Sequence, residues 1–553
     1  MKLFRIGDRL VESGIISEEQ RDFALNEQKR TGERLGAVLR RLNLISEEDL
    51  ARMLAESIGV EYISLRNESI DPKIMSVLSE PFVRRYKVFP VAAEDGSITV
   101  AMSDPTDVLT IDRVQQQTGR YVTVMSASEF DILTALDRFY GSENETPIEE
   151  IIADSIRQVD AKGSSDARED FADVAPIVKL IDSLILAGVR DRATDVHFEP
   201  EKDLLRIRYR VDGVLHQGPY IPKKIEKAIN SRLKIMSSIN ISEQRLPQDG
   251  KATVNVYGRT IDLRVATFPT IFGENVVLRV LNRENLALGL ESLGFSTVSL
   301  ERFKEALEHP NGIVLVTGPT GSGKTTSLYA ALMKLNTTER KIITLEDPVE
   351  YELPLIRQSQ INARAGLTYA TGLRAILRQD PDIIFVGEMR DQETIDTAIR
   401  AALTGLLVFS TLHTNDAAST IPRLMDMGVE PYLVASSLVG VVAQRLVRVI
   451  CRFCKEKMVP AKDLVSSLNA PADAAYYRGT GCKNCDGTGY RGRTVVSEVM
   501  LMSPGIRKAI MEHAEAGVVR KISHEEGMRT MLEDGVLKAI DGLTTLDEVA
   551  RVV

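Results

Sequence analysis

A glycine-rich turn holds the residues whose types and spacing most clearly allow chemistry. Gly318, Gly323, Lys324 and Thr325 occupy the fixed places of the pattern G-x-x-x-x-G-K-[ST]. Main-chain N–H groups of such a turn surround a phosphate, the lysine adds positive charge, and the threonine hydroxyl reaches Mg²⁺. We therefore predict a nucleotide phosphate site made of consecutive residues: Gly318, Pro319, Thr320, Gly321, Ser322, Gly323, Lys324, Thr325 and Thr326.

Acidic residues follow two other apolar runs in the same half of the chain. Glu346 and Glu350 come after the run 341–345, and Glu388 ends the run 382–388. Carboxylates at the carboxyl ends of strands in an open α/β sheet face the ligand crevice. One such carboxylate is often only a helix cap, but two beyond a phosphate-binding turn indicate metal and water binding. Glu388 occupies a Walker-B-like place for Mg²⁺ or its waters.

The four cysteines form two C-x-x-C pairs, Cys451 with Cys454 and Cys482 with Cys485. In a cytoplasmic chain such pairs favour a tetrahedral Cys₄ zinc site over disulfides. Four protein ligands leave no open position for catalysis, so we expect the zinc to stabilise a protruding segment. Two alternatives stay open: thiols without metal, and a redox pair, although the βαβ setting of thioredoxin-like motifs is missing.

The elements that must position these groups follow from the apolar pattern. Residues 313–316 are typical of a strand buried on both faces, and residues 327–335 predict a helix after the glycine-rich turn. The runs 341–345, 382–388 and 405–414 predict three more buried strands with polar groups at their ends. Strand, turn and helix together are the context that the phosphate-binding motif requires.

Arginines mark the predicted strands nearer the amino terminus. Alternation places Arg206, Arg208 and Arg210 on one face of a single strand. Arg264 and Arg279 lie on two further predicted strands. The default interpretation is a solvated or ion-paired face. The alternative is a role toward the nucleotide, because so many arginines precede a domain that binds a triphosphate.

The first sixty residues contain an internal repeat. Arg5-Ile6-Gly7 recurs as Arg34-Leu35-Gly36, and Ser17-Glu18-Glu19 recurs as Ser46-Glu47-Glu48. Each copy predicts a short helix, a turn and a second helix whose N-cap is the serine. The simplest hypothesis is a four-helix packing module that buries its own leucines.

Pattern and composition divide the chain into successive α/β and helical parts. We predict a tandem helical repeat at 1–60, a small α/β docking domain at 61–145, a polar linker at 146–173, an α/β domain at 174–285, a nucleotide-binding domain at 286–500 that includes the zinc module at 447–497, and a helical region at 501–553.

The bulk composition excludes several functional classes. A net charge of −9 and a pI near 5.5 argue against a nucleic-acid polymer as the main partner. The longest uncharged apolar stretch, 432–443, is shorter than the about 20 residues that a membrane span needs. Early charged residues argue against a secretory signal. We expect a cytoplasmic protein that reaches a membrane only through partners.

Several motifs in a fixed order carry a family resemblance. The glycine-rich turn is followed by Glu346-Asp347-Pro348-Val349-Glu350, Gly387-Glu388, Ser410-Thr411-Leu412-His413-Thr414 and the paired cysteines. With them the chain resembles the type II secretion and type IV pilus assembly ATPases, from about Val174 to its end. Further stretches of this kind are 245–250, 377–382 and 443–446.

The resemblance implies a fold and an assembly. A PAS-like α/β domain would precede a RecA-like P-loop motor domain, in an α/β multidomain chain that also has an N-terminal helical repeat and a Cys₄ zinc module. ATP and Mg²⁺ would lie between two subunits of a homohexamer. Arg264 and Arg279 would be arginine fingers that stabilise charge on the neighbouring subunit's transferring phosphoryl group.

The resemblance also implies roles for residues of the motor domain. Glu350 would orient or deprotonate the attacking water, Glu388 would hold Mg²⁺, and His413 would sense the γ-phosphate. Glu346 would line the same nucleotide site. One departure is that the family's T-G-H sequence is Thr404-Gly405-Leu406 here, so that sensing would depend on His413 alone, or the first histidine is dispensable.

The N-terminal repeat resembles the tandem motif of cyclic-di-GMP-binding domains on certain of these ATPases. Arg5, Gly7, Arg34 and Gly36 would then contact the ligand, since an arginine beside a glycine suits a guanine and a phosphate. The second copy departs from the motif, with Asn43 and Ser57 where a glycine and a glutamine are usual.

The leading functional hypothesis is a motor that assembles the pseudopilus for type II secretion. Its partners would be the cytoplasmic domain of an inner-membrane anchor protein and a polytopic platform protein. Alternatives are type IV pilus assembly, a retraction motor, a DNA-translocating ATPase and a binding module gated by cyclic-di-GMP and ATP. The stretches 426–431 and 443–448 favour the secretion branch.

Overall fold

The computed structural model describes residues 6–12, 15–42, 44–65, 72–94, 96–140, 147–161, 175–256, 259–281, 289–482, 485 and 487–553. The chain forms two compact units, Met1–Glu284 and Asn285–Val553. Both mix helices with sheets, which confirms the predicted α/β multidomain class. The predictions for Arg5, for Asn43 and for the part of the linker beyond residue 161 lie outside the described residues.

Four short helices open the first unit and form the predicted repeat. They are α1 (Ile6–Glu12), α2 (Glu18–Thr31), α3 (Leu35–Arg41) and α4 (Glu47–Ile58). Ser17 and Ser46 accept hydrogen bonds from first-turn N–H groups of α2 and α4, as the sequence predicted. Gln20 accepts in turn from the N–H of Ser17, which completes a capping box.

A four-stranded sheet with three helices follows. Its elements are β1 (Glu61–Tyr62), α5 (Glu80–Tyr86), β2 (Val88–Glu94), β3 (Ser97–Met102), α6 (Val108–Thr118), β4 (Tyr121–Ser126) and α7 (Glu129–Tyr140). The strand order is β1-β4-β3-β2, with β2 antiparallel to β3 and the other pairs parallel. Because the buried Ser126 donates its hydroxyl to the carbonyl of Ala51, this sheet is joined to α4 of the repeat.

The predicted polar linker contains a helix. This is α8 (Ile148–Ala161), and α9 (Ala175–Arg190) follows. Ile151 is buried, and Ile152, Ile156 and Val159 pack against the same core. The linker prediction was wrong for this stretch because the exposed acidic residues dominate its composition, whereas its isoleucines repeat at the spacing of one helix face.

The second sheet of the first unit has six antiparallel strands. They are β5 (Asp195–Pro200), β6 (Leu204–Val211), β7 (Val214–Pro222), β8 (Gln248–Val256), β9 (Arg259–Thr270) and β10 (Gly273–Leu281), with α10 (Glu226–Met236) between β7 and β8. The order is β7-β6-β5-β10-β9-β8. One face buries apolar side chains such as Phe198, Ile207 and Leu278 together with α9 and α10. The other face therefore carries the alternating polar side chains.

The second unit is built on a seven-stranded sheet. Its elements are α11 (Thr297–Leu307), β11 (Gly312–Thr317), α12 (Lys324–Leu335), β12 (Ile342–Glu346), β13 (Arg357–Gln360), α13 (Tyr369–Ile376), β14 (Ile383–Val386), α14 (Gln392–Leu403), β15 (Leu407–Leu412), α15 (Thr420–Asp426), α16 (Pro431–Ser437), β16 (Leu438–Ile450) and β19 (Tyr490–Leu501). The order is β13-β12-β14-β15-β11-β16-β19, and only the β16–β19 pair is antiparallel. Every residue of β11, β12, β14 and β15 is buried, as the continuous apolar runs predicted.

A small insertion and four helices complete the second unit. Between β16 and β19 lie β17 (Lys455–Met458), α17 (Lys462–Ser467) and β18 (Tyr476–Gly479), and the chain ends with α18 (Pro504–Met511), α19 (Ala516–Glu525), α20 (Met531–Ile540) and α21 (Leu546–Val552). Over the described ranges, the helices include none with the length and apolar character that crossing a bilayer requires.

Candidate functional site

The glycine-rich turn connects β11 to α12. Gly321 and Gly323 have φ angles of 80° and 88°, a conformation that glycine adopts at no steric cost. Lys324 begins α12, and its Nζ donates to the carbonyl oxygens of Gly318 (2.7 Å) and Pro319 (3.1 Å). The turn, the helix N-terminus and the ammonium group thus meet at the carboxyl end of β11. This arrangement suits a phosphate.

One residue from another strand end lies near the lysine, and a second lies beside that residue. Glu388 follows β14, and its side chain is 13% exposed. It forms an ion pair with Arg390, and its Oε2 lies 3.7 Å from Nε2 of His413, which follows β15. Burial lowers the pKa of Lys324, and the negative charge of Glu388 opposes that shift. The parallel sheet therefore brings together three groups that are far apart in the sequence.

The carboxylate of Glu346, at the end of β12, is buried among hydrogen-bond donors. Tyr329 and Thr344 donate their hydroxyl groups, and Nε2 of Gln358 donates at 3.1 Å. Burial raises the pKa of Glu346. Because Tyr329 belongs to α12, these contacts hold the helix that begins at Lys324 against β12. A contact of Glu346 with the nucleotide stays a prediction.

The main-chain N–H of Glu350 lies 3.3 Å from the Tyr329 hydroxyl and donates to it. The residue predicted to act on water is therefore tied to the same hydroxyl group as Glu346. Its catalytic role stays a prediction, as do the roles of Glu388 and His413.

A row of charged side chains crosses the polar face of the six-stranded sheet in the first unit. The register pairs Arg210 with Asp195, Asp195 with Arg279, Arg279 with Arg264, and Arg264 with Lys251. Residues directly opposite each other on neighbouring strands share a face. The two arginines predicted to be fingers are therefore neighbours on one face.

Asp195 holds the middle of this row. Its Oδ1 accepts from Nε of Arg279 at 3.0 Å, and Oδ2 lies 3.7 Å from Nε of Arg210. The Asp195 side chain is only 9% exposed, whereas that of Arg279 is 56% exposed. A buried anion thus holds a guanidinium group that still faces outward.

The four cysteines come together as predicted. Their sulfur atoms all lie within 4.8 Å of one another, and three of the Sγ–Sγ distances are 3.8 Å. Ligands about 2.3 Å from zinc at the corners of a tetrahedron are about 3.8 Å apart. Main-chain N–H groups of Gly481, Cys482 and Gly489 donate to the sulfurs. The site therefore fits a tetrahedral zinc ion and requires no disulfide.

The glycines of the N-terminal repeat lie inside helix contacts. A Cβ on Gly7 would lie 3.1 Å from Cγ of Arg21, and one on Gly36 would lie 3.0 Å from a methyl group of Leu50. Close packing of the helices is therefore a sufficient reason for both glycines. Arg34 precedes α3 with its side chain 91% exposed, and its Nη1 lies 3.5 Å from Oδ2 of Asp104.

Three residues near these sites were not singled out from the sequence. Arg390 pairs with Glu388, Tyr329 joins α12 to Glu346, and Asp195 holds Arg279. Only Arg390 had a signal, since it lies two positions beyond a predicted metal-binding carboxylate. The other two depend on contacts between distant segments, which no local pattern contains.

Comparisons with known proteins agree with this architecture. A family model described as "Type II/IV secretion system protein" matches residues 170–551, and one described as "MshEN domain" matches residues 58–146. The chain is 42% identical over 557 residues to the type II secretion system protein E of Xanthomonas campestris, covering 99% of this chain and 98% of that one. It is 40% identical over 558 residues to the type IV pilus assembly ATPase PilB of Myxococcus xanthus, with the same coverage.

A solved structure is similar in fold. The crystal structure of the Legionella pneumophila ATPase DotB superposes with a TM-score of 0.51, at 22% sequence identity. The superposition covers 68% of this chain and 95% of the DotB chain.

Proposed function

The chain belongs to the type II/IV secretion system protein family, and we propose that it is the ATP-hydrolysing motor of type II secretion, where it drives pseudopilus assembly. Assembly of type IV pili is the alternative. Relatives of both kinds are similar over nearly the whole chain, so the two functions are equally compatible with the similarity. ATP hydrolysis is common to both.

The observation that carries this proposal is the meeting of three strand ends. Lys324 after β11, Glu388 after β14 and His413 after β15 lie at one edge of a parallel sheet. A cation on a phosphate-binding turn, a carboxylate and a polar sensor are the groups that phosphoryl transfer uses.

Each residue of the candidate site has a separate role in hydrolysis. The turn and Lys324 bind the β- and γ-phosphates, and Thr325 with Glu388 would hold Mg²⁺, which neutralises charge on the phosphate oxygens. Glu350 orients or deprotonates the attacking water. His413, near Glu388, responds to the γ-phosphate. Arg390 keeps the Glu388 carboxylate in place by charge pairing.

The remaining positive charge comes from a second subunit. Arg264 and Arg279 stabilise the transferring phosphoryl group of a neighbour in a homohexamer. Their side-by-side positions support this role, because two guanidinium groups on one face can reach the same anion.

A direct test is ATP turnover measured by phosphate release. We expect Lys324→Ala to lower turnover by about 100-fold or more, because it removes the charge on the phosphates. Glu388→Gln should retain ATP binding and lose turnover. Lys334→Ala, a charge change at the other end of α12, is the matched control. Wild-type turnover in Lys324→Ala and Glu388→Gln would refute the proposal.

The partners would be an inner-membrane anchor protein, through its cytoplasmic domain, and a polytopic platform protein. The ATPase would then be cytoplasmic and peripheral on the inner membrane. Co-purification with the platform protein of a secretion system, and not with that of a pilus system, would decide between the two branches. The opposite result would select pilus assembly.

Cyclic-di-GMP is proposed as a second ligand, at the N-terminal repeat. The exposed guanidinium group of Arg34 supports this proposal. Calorimetric titration should show saturable binding that Arg34→Ala weakens. A flat titration at tens of micromolar would exclude the ligand.

The alternative of a nucleotide-gated binding module has a separate test. ATP turnover that no membrane partner stimulates would favour it over the motor.

A further inference from the structure

We propose that Gln444 is a positioning residue of the phosphate-binding turn: it fixes the Ser322 carbonyl so that the N–H of Gly323 faces the β-phosphate. This inference rests on the proposed function, since it requires a nucleotide in the turn. Gln444 lies on β16, the strand hydrogen-bonded beside β11, and is 0% exposed.

The contact joins two segments that are far apart in the sequence. Nε2 of Gln444 donates to the main-chain oxygen of Ser322 at 2.8 Å, and both residues are buried. A buried carbonyl requires a hydrogen-bond partner. Here the partner is a side chain from a neighbouring strand, so the orientation of this peptide group is set from outside the turn.

The direction of one carbonyl decides the direction of the next N–H. In a trans peptide group, the C=O of Ser322 and the N–H of Gly323 point to opposite sides. When Gln444 holds the oxygen toward β16, the N–H of Gly323 points away from that strand. Outward-pointing N–H groups of successive turn residues form the cradle that binds a phosphate.

The motif glycines leave the space that Gln444 occupies. A Cβ on Gly318 would lie 2.4 Å from the main-chain oxygen of Gln444, and a Cβ on Gly323 would lie 3.2 Å from its Nε2. Both fixed glycines of the pattern therefore permit the same close approach. The absence of side chains at these two glycines lets the turn pack directly against β16.

The side-chain amide of Gln444 is energetically unfavourable at this position if the side chain only fills space in the core. Oε1 of Gln444 is buried and has no hydrogen-bond partner in the part of the chain that the structure describes. A buried unpaired acceptor is unfavourable. An apolar side chain of equal size would avoid that cost, so the contribution of the glutamine lies in its contact with Ser322.

The decisive variant is Gln444→Met, which keeps the volume and removes the donor. Dissociation constants for Mg·ATP and Mg·ADP should both rise by about 3–10-fold, because one hydrogen bond no longer orients the turn and both nucleotides have a β-phosphate. Turnover at saturating ATP should stay within about two-fold of wild type, because the loss is in ground-state binding. A purely structural role would lower the melting temperature without changing either dissociation constant.

Ser497→Ala is the matched control. Ser497 is directly opposite Gln444 on β19 and equally buried, and its main-chain N–H, not its hydroxyl, donates to Asp534 at 3.0 Å. It should leave nucleotide affinity unchanged. If Gln444→Met does not fold, Gln444→Leu takes its place, and it should weaken binding to a similar extent because it also removes the donor to the Ser322 carbonyl.

The two proposals fail in different ways. Wild-type protein that binds neither nucleotide would overturn the proposed function. Wild-type protein that binds both, with unchanged affinity in the folded Gln444 variant, would overturn this inference alone.

Discussion

Single charged residues in both units depend on partner side chains that pair with them or donate hydrogen bonds to them. Glu388 is paired with Arg390, Glu346 accepts three hydrogen bonds, and Asp195 holds Arg279. A buried charge without such partners would be strongly unfavourable. At this scale the partner residues are therefore as informative as the residues predicted to do chemistry.

Asp195→Asn tests the arrangement at the arginine pair. The change removes the charge that holds Arg279, so we expect turnover to fall by about 10-fold with little change in KM, because only the transition state uses a precisely placed guanidinium group. The measurement is steady-state ATP turnover in the assembled protein.

Two further variants make this result specific. Asp203→Asn, an exposed acid beyond the end of β5, should have no effect. Asp195→Asn combined with Arg279→Ala should be no slower than Arg279→Ala alone, because both changes act through one group. Additive losses would show that Asp195 acts independently of Arg279.

At the scale of elements, strand β16 connects three regions of the second unit. Near its middle it lies beside the glycine-rich turn, through Gln444. Further along, Arg448 contacts Glu548 of α21, and Ile450 donates to the carbonyl of Leu543. The strand ends one residue before Cys451. One strand thus supports the turn, the C-terminal helices and the segment that carries the four cysteines.

Glu548→Gln should destabilise the C-terminal helices in a pH-dependent way. Burial alone would raise the pKa of Glu548, but hydrogen bonds from Arg551 and Arg448 lower it to about 2. A carboxyl whose pKa is lower in the folded state adds stability above its unfolded value and loses it as the pH falls. We expect a cost of about 1–3 kcal/mol at pH 7.

The measurement is the unfolding free energy from urea titrations between pH 7 and pH 2. The difference between wild type and Glu548→Gln should be constant above about pH 5 and shrink toward pH 2. Glu512→Gln, whose side chain is 64% exposed, is the control and should be neutral throughout. A difference that grows on acidification would contradict the assigned shift.

Cys482→Ser should remove the metal and loosen the insertion around it. The four sulfurs already have the spacing of zinc ligands, so loss of one ligand should abolish tight binding. Elemental analysis should find one zinc per wild-type chain and none in the variant. Ser467→Ala, in α17 of the same insertion, should keep its zinc. Full metal content in Cys482→Ser would refute the assignment.

At the scale of the whole molecule, the groups proposed for one active site are divided between two compact units. The glycine-rich turn belongs to Asn285–Val553, and the arginine pair belongs to Met1–Glu284. The shared-site hypothesis assigns the arginines to a neighbouring subunit. It makes ATP hydrolysis a property of the assembly.

Mixing two impaired variants tests that hypothesis. Subunits with Lys324→Ala and subunits with Arg279→Ala, co-assembled in equal amounts, should regain up to about a quarter of wild-type turnover, because some interfaces combine an intact turn with an intact arginine. Each variant alone should keep only its low residual turnover. If the mixed hexamers recover no turnover, either both groups act within the site of a single subunit or Arg279 takes no part in hydrolysis.

Much of the fold was predictable because its signals are local. The continuous apolar runs of β11, β12, β14 and β15 lie between helices and identify a buried parallel sheet. The glycine-rich turn, the serine N-caps and the cysteine pairs each have a fixed sequence spacing, because the local geometry of each motif requires that spacing. The helix α8 was missed because its exposed acids outweighed an apolar stripe that only helical periodicity shows.

The amino-acid sequence by itself determined the glycine-rich turn, the two cysteine pairs, the strand-end carboxylates and the family resemblance, since each depends on residue types a few positions apart. Only the tertiary structure decided that Gln444 reaches Ser322, that Asp195 holds Arg279 and that Tyr329 reaches Glu346. These contacts cross strands and helices that are distant in the chain. The order of the strands and their register bring these residues together. Both are established by strand pairing across the whole domain and not by any short stretch of sequence.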